Sequence, residues 1–438
     1  MSIGEANMKK CKTKVPFSGC RSLGKILAVA TGLALAAGCG TADDGTGSND
    51  GGSGGDGSTD RSDASVIETV TLTGRVMAPS GEFPISGALV YFTTSTPEPI
   101  PSGVYDYECD DMQGKPHTLT NPDGTWSIDV PVGSWTLVTR KGNFRRIRNL
   151  DVVTGMDPSV PEEQTTLPGA TTPDGLDTIP TFGVVKTSPD LTYNLLGKFG
   201  MGQVDGSGEL IAGSEQFDIY ADAAGGAYPH TSALFDDQSV LNSYQMIYLP
   251  CFSSSVGVAF VNNNVDKLRA YVSAGGRIYN SCTVSLWSES AFPDYIDFYQ
   301  GDGATKFDIG RRTNAAYQTT GDVLDDGLGA WLSVVTSESP SSVPFRNGYV
   351  TIDATTEVDD GHGLEEDNGV VKPYTWVEDN GSYPGSPLMV TYNYDAGKVF
   401  YSVYETSEGS PTMTPQELVL LYVILEVGVC ENIDDIID

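Results

Sequence analysis

The chain has 438 residues, 39% of them hydrophobic and 19% charged, which is enough apolar material for two ordinary cores. Its formal charge of −33 sets it against phosphate backbones and anionic headgroups, so nucleic acid and direct contact with a lipid surface are excluded as expected partners. Glycine crowds into one stretch near the N-terminus while the 25 prolines are scattered, as expected where strands and turns dominate.

Residues 9–25 hold Lys9, Lys10, Lys12, Lys14, Arg21 and Lys25, and residues 26–37 are an apolar run of 12. A membrane span needs about 20 apolar residues, so residues 1–38 are expected to be a signal peptide, with Met8 an equally good start. Leu35-Ala36-Ala37-Gly38-Cys39 resembles the bacterial lipobox, although Leu35 sits one place earlier than the usual leucine. The resemblance implies an acylated Cys39 as the mature N-terminus and a cell-envelope location. Gly40, where retained lipoproteins carry Asp, implies the outer membrane. Cleavage removes those six cations and Glu5 and takes the charge from −33 to −38. From Cys39, residues 39–65 read as a flexible, acidic Gly/Ser/Asp tether with nothing to place in a core.

Alternation predicts half-buried strands at residues 68–77, 88–94, 117–120, 125–130, 135–139 and 147–153, with a turn at Asn121-Pro122-Asp123-Gly124. Short strands at this spacing indicate a small β-sandwich over residues 66–154. Thr73-Gly74-Arg75-Val76, Gly87-Ala88-Leu89-Val90, Trp126-Ser127-Ile128 and Pro131-Val132-Gly133-Ser134-Trp135-Thr136-Leu137 resemble the carboxypeptidase regulatory-like (transthyretin-like) domain. That resemblance implies a spacer or binding platform without catalytic residues. The basic stretch 141–148 reads as a solvated strand face, with a docking patch for an acidic surface as the alternative.

Residues 155–178 are rich in Thr, Pro and Gly and are expected to form a linker. Beyond them the period changes. Buried-type strands are predicted at 179–185, 217–220, 246–249 and from 277, helices at 191–199 and 265–273, with Gly275-Gly276 ending the latter. Strands alternating with helices imply a doubly wound, flavodoxin-like α/β domain over 179–430, with 431–438 an acidic tail; the expected class is therefore α+β and multidomain. Tyr244-Gln245-Met246-Ile247-Tyr248-Leu249-Pro250 and Ala274-Gly275-Gly276-Arg277 resemble the class I glutamine amidotransferase-like fold, ThuA-like members included. The predicted hairpin at 387–402 and helix at 414–427 resemble its closing elements, whereas residues 301–369 form an insertion without a counterpart.

In amidotransferases the nucleophilic Cys follows the strand after the Gly-Gly, where this chain has Cys282. A nucleophilic thiol needs a base, and the family's late His is missing: the late strand ends Ser402-Val403-Tyr404-Glu405. A thiol hydrolase would have to recruit His230 or Glu405. The alternative role is a disulfide, Cys251 with Cys282 or Cys251 with Cys430, since four cysteines besides Cys39 remain in an oxidising compartment. Asp359, Asp360, Glu365 and Asp367 offer oxygens for a hard cation but lack the alternation of an EF-hand, and a solvated acidic loop is the plainer reading. The expectation is a non-catalytic envelope lipoprotein without a cofactor. It would be held to the membrane by its lipid and bind a protein or carbohydrate ligand; a thiol-dependent hydrolase or amidotransferase-like enzyme is the alternative.

Overall fold

Alternating apolar residues shape the first part of the fold in the computed structural model, which describes residues 67–429 apart from 107–110, 189, 222–225, 252–257, 302–308, 337–340 and 407–408. The signal peptide 1–38, Cys39, the tether 39–65, Cys430 and the tail 431–438 lie outside the described residues. Strands β1 (Thr69–Arg75), β2 (Leu89–Thr93), β3 (His117–Leu119), β4 (Thr125–Pro131), β5 (Gly133–Lys141), β6 (Phe144–Val152) and β7 (Asp177–Thr178) follow the predicted segments closely until the last. β1 pairs with β4, and the others form a five-stranded antiparallel sheet in the order β3-β2-β5-β6-β7. Leu72, Trp126 and Ile128 of the pair are buried in one cluster with Val90, Phe92 and Leu137 of the larger sheet, and the Phe92 and Trp126 rings meet edge to face at 6.4 Å.

The stretch expected to be a linker is exposed over about half its residues but is anchored to the fold at several points. Val160 and Leu167 are buried, the Thr165 hydroxyl donates to the Arg75 carbonyl at 2.6 Å, and β7 extends the sheet alongside β6. The basic stretch is neither a solvated face nor a docking patch. Arg146 and Arg148 both bind Asp177 bidentately at 2.8–3.1 Å, and the buried Lys141 ammonium pairs with Glu426. These cations lock the local chain because a carboxylate with two planar guanidinium partners has little reason to exchange them for water. Burial pushes the Asp177 carboxyl up, but its bonds to Arg148 and Arg146 outweigh that and hold it below the ordinary aspartate range. A depressed carboxyl adds stability above its ordinary pKa and loses it as pH falls through the folded value. Asp177→Asn should therefore cost about 1.5–3 kcal/mol at neutral pH, a penalty that shrinks below about pH 4 in urea titrations.

The second part is built on buried strands β8 (Phe182–Lys186), β9 (Asp218–Ala221), β10 (Met246–Leu249) and β11 (Arg277–Ser281). Next come β12 (Ile296–Phe298), β13 (Tyr317–Val323), β14 (Ser342–Gly348) and the short β15 (Ile352–Thr355), β16 (Val358–Asp359) and β17 (Val370–Val371). β18 (Tyr374–Asp379), β19 (Pro387–Tyr394) and β20 (Gly397–Ser402) complete the set. Nine of these form one mixed sheet in the order β9-β8-β10-β11-β20-β19-β18-β13-β14. The first five run parallel, the remaining four antiparallel. Every residue of β10 and β11 is buried, as central strands covered on both faces require. The parallel, doubly wound order stops at β20: the two-residue turn Asp395-Ala396 leaves no room for a crossover, so β19 pairs antiparallel as the hairpin expected at 387–402. The insertion 301–369 extends that antiparallel edge through β13 and β14.

Helices are few: α1 (Thr192–Leu196), the single turns α2 (Thr231–Leu234) and α3 (Gln238–Leu241), α4 (Val258–Ser273), α5 (Ser285–Ala291), α6 (Asp326–Val335) and α7 (Pro415–Val427). Gly275, at φ +106°, ends α4 where a side chain would collide with the Tyr105 carbonyl. α7 opens with a capping box, in which the Thr414 hydroxyl and the Glu417 carboxylate each bind the other's backbone, and a Pro at N1. Its sequence is apolar all round, which marks a helix buried on every side. The residues around it explain why. Arg277 Nε donates to the Val427 carbonyl, Tyr422 packs on Trp331 of α6, and Trp331 Nε1 donates to the Pro84 carbonyl at 2.8 Å. Gly142, in the β5–β6 turn at φ +55°, lets the Gly428 backbone approach where a Cβ would sit only 2.6 Å from the Gly428 carbonyl oxygen. Phe144 adds contacts to Phe182 and Phe199 at 6.2 and 5.3 Å, so the two parts share one apolar core. Among the described residues no helix is long and apolar enough to cross a membrane.

Candidate functional site

Parallel strands end their backbones at one edge of a sheet, and side chains just past those ends converge there. Four such segments meet in this chain. Thr187 and Asp190 follow β8, Cys251 follows β10, Ser281 and Cys282 close β11, and Glu405 and Thr406 lie beyond β20. Asp190 is fully buried and ties three of them together. One carboxylate oxygen accepts from Ser281 Oγ at 2.6 Å; the other accepts from the Thr406 amide at 3.1 Å, Thr406 Oγ1 at 2.7 Å and Thr192 Oγ1 at 2.9 Å. Ser281 Oγ in turn accepts from the Cys251 amide at 2.8 Å.

Cys282 sits where the sequence placed it, at the turn from β11 into a short 3-10 segment and α5. Its φ of +52° is unusual for a residue with a side chain, and the surrounding bonds hold it there. Tyr401 donates to its carbonyl at 2.5 Å, and its thiol donates to Glu405 Oε1 at 3.2 Å. Cys251 Sγ shares a hydrogen bond with Thr283 Oγ1 at 3.0 Å, and Gln416 Nε2 donates to the Glu405 carbonyl at 2.8 Å. Cys282 has no exposed surface, and Cys251 and Glu405 are 4% exposed. Burial pushes the Cys282 thiol well above the ordinary range, and the neighbouring Cys251 and the Glu405 carboxylate push it further. Glu405 is pushed up to about 10, again by burial first and then by Cys251 and Asp190. A protonated thiol facing a carboxyl is a poor nucleophile.

The expected Cys251–Cys282 disulfide is not formed. Both thiols are free, each engaged by an oxygen, although the ligating atoms of Cys251, Cys282 and Glu405 all lie within 4.8 Å of one another. The alternative pairing through Cys430 falls outside the described residues. Of the two bases considered for Cys282, Glu405 is in contact and His230 is spent elsewhere, its Nδ1 capping α2 through the Ser232 amide at 3.1 Å. His117 Nδ1 lies 2.8 Å from the Lys115 carbonyl, and His362 pairs with Asp395 at 3.0 Å while stacking on Tyr394.

The acidic loop does not gather into a cation site. Asp360 accepts from Tyr295 and from the His362 amide, Asp367 pairs with Lys372, and Asp359 lies in the β16–β17 pair. Among the described residues only Cys251, Cys282 and Glu405 form a group of three potential metal ligands, with donor atoms within 4.8 Å of one another, and Asp359, Asp360, Glu365 and Asp367 belong to none. The sequence reading missed Asp190. Its signal was a carboxylate directly behind the sequence Thr-Ser-Pro after a buried-type strand, which is where an α/β sheet presents its functional edge.

No protein-family description matches the chain, and no curated protein matches it. Among solved structures, the cytoplasmic protein STM3548 from Salmonella typhimurium is similar at 12% identity over 57% of this chain and 98% of its own, with a TM-score of 0.32. The cytoplasmic protein STM1381 from Salmonella typhimurium LT2 matches at 12% identity over 57% and 97%, TM-score 0.33. A β-galactosidase from Bacillus circulans sp. alkalophilus matches at 11% over 57% of this chain and 30% of its own, TM-score 0.28.

Proposed function

We propose that this chain is a non-catalytic lipoprotein of the cell envelope, anchored through Cys39 and displayed outside the cytoplasm. In this reading residues 66–154 are a carboxypeptidase regulatory-like β-sandwich acting as spacer or platform. The second part is a degenerate, flavodoxin-like amidotransferase scaffold used for binding. The observation that supports it is the surroundings of Cys282: the residue standing where the family keeps its nucleophile is fully buried, and its thiol faces a carboxyl instead of an imidazole. Without a base that can take its proton, such a thiol does not form an acyl-enzyme.

One observation favours a second reading, a thiol hydrolase in which Glu405 is the base. The φ of +52° at Cys282, on a strand–turn–helix, is the strained conformation that nucleophile elbows use.

Iodoacetamide separates the two. On folded protein purified from its native membrane and fully reduced, Cys282 should stay unmodified until denaturant is added, and intact mass should show an acyl increment on Cys39. Rapid alkylation of Cys282 in the folded protein would establish the hydrolase instead. An unacylated Cys39 would remove the lipoprotein assignment.

A further inference from the structure

We propose that Cys251, Cys282 and Glu405 are a three-ligand site for a thiophilic divalent cation, with Zn²⁺ as its representative. The proposal deepens the non-catalytic reading by giving the same sheet edge a ligand.

Donor chemistry decides the class of cation. Two sulfurs and one carboxylate oxygen suit Zn²⁺ and similar borderline metals, and they are a poor match for Ca²⁺ or Mg²⁺, which want oxygens throughout. Geometry agrees. Tetrahedral Zn²⁺ with bonds of about 2.3 Å to sulfur and about 2.0 Å to oxygen places its donors roughly 3.5–3.8 Å apart. Here Cys282 Sγ and Glu405 Oε1 are 3.2 Å apart and all three donor atoms lie within 4.8 Å, so closing on a metal requires shifts of about an ångström or less. Rotation of the side chains supplies that without moving a strand.

The supports of the three residues are those a metal site needs. Ligand backbones are held by the Asp190–Ser281–Cys251 chain of hydrogen bonds, by Tyr401 on the Cys282 carbonyl and by Gln416 on the Glu405 carbonyl. The three donors come from segments after three different strands, β10, β11 and β20, so a bound ion would cross-link the parallel sheet at its carboxyl edge. On binding, each thiol gives its proton to solvent as its sulfur–metal bond forms, and the Glu405 carboxyl likewise gives its proton to solvent and binds as the carboxylate. No electron changes hands. Three protein ligands leave the fourth tetrahedral position to water or an external donor.

The test uses the full-length protein, reduced with a phosphine and stripped with a chelator. Zn²⁺ and Co²⁺ are then titrated in, bound metal is counted by mass spectrometry under native conditions, and the cobalt form is read by absorption. One ion per chain, with thiolate-to-cobalt charge-transfer bands and a tetrahedral visible spectrum, is the expected result. Cys282→Ser and Glu405→Gln should each weaken binding at least tenfold, and circular dichroism shows whether they fold; the wild-type cobalt spectrum carries the test if they do not. Absence of stoichiometric metal, or bands without thiolate character, overturns the site. If Cys282 also stays closed to iodoacetamide in that metal-free protein, the non-catalytic reading survives the loss of the metal; if it reacts, both fall. Protein isolated from its native membrane with Cys251 and Cys282 joined as a disulfide likewise overturns the metal site.

Discussion

Lys198→Met is expected to destabilise the protein by about 3–5 kcal/mol. The Lys198 ammonium donates to Glu417 Oε1 at 2.7 Å, and both side chains are only 3% exposed. Methionine keeps most of the lysine stem, so the change removes the charge and little volume. What remains is a buried carboxylate without its cation, held beneath the first turn of α7, where its other oxygen accepts from the Thr414 amide at 2.8 Å. The asymmetry of buried pairs gives a sharper form of the prediction. Adding Glu417→Gln to Lys198→Met should recover most of the loss, because glutamine is neutral and still completes the capping box. Urea unfolding of the parent, the single and the double variant measures this. A single variant within 1 kcal/mol of the parent, against the several expected for a broken buried pair, would mean that water reaches Glu417.

Asp190→Ala is the second change with a large effect, expected to cost about 3 kcal/mol or more. Its carboxylate accepts from Ser281, twice from Thr406 and from Thr192, all in a fully buried setting. Alanine leaves those donors without an acceptor, and an orphaned buried donor costs its whole desolvation penalty. Asp190→Asn keeps the shape and the acceptor oxygen but must turn an NH₂ toward donors on one side, so it should fall between the parent and alanine. The loss is also local. Ser281 carries the chain of bonds to the Cys251 amide, so Asp190→Ala should open Cys251 and Cys282 to alkylation at denaturant concentrations where the rest of the fold persists. If instead both thiols and the global fold respond together, Asp190 supports the whole sheet and has no special claim on the cysteines.

The sheet edge shows where local sequence stops informing. Cys251 and Cys282 were legible as residues at the ends of successive buried strands, because four- and five-residue apolar runs with turn signals behind them report strand ends directly. Their meeting with Glu405 was not. That contact spans 123 positions and depends on β20 pairing with β11 in parallel register, Ser281 opposite Ser402. The basic stretch was misread for the same reason. Its alternation is that of a half-exposed strand, and only the arrival of Asp177 and of Glu426 from α7 gives Arg146, Arg148 and Lys141 their counterions.

By itself the sequence determined what depends on neighbours along the chain. The strands from β1 to β6, the buried runs of β10 and β11, the hairpin of β19 and β20, the C-terminal end of α4 and the bounds of α7 follow from period, turn residues and caps, whereas α4 begins at Val258, seven residues before the predicted start at 265. Tertiary structure alone decided the rest: the antiparallel extension by β13, β14 and β18, the anchoring of residues 155–178 through the buried Val160, Thr165, Leu167 and Asp177, the core shared through Phe144 and Trp331, and the grouping of Cys251, Cys282 and Glu405. The physical reason is common to all four. Each rests on contacts between distant segments, whose free energy comes from burial and from pairing polar groups away from water, and no local pattern records which partner will be there.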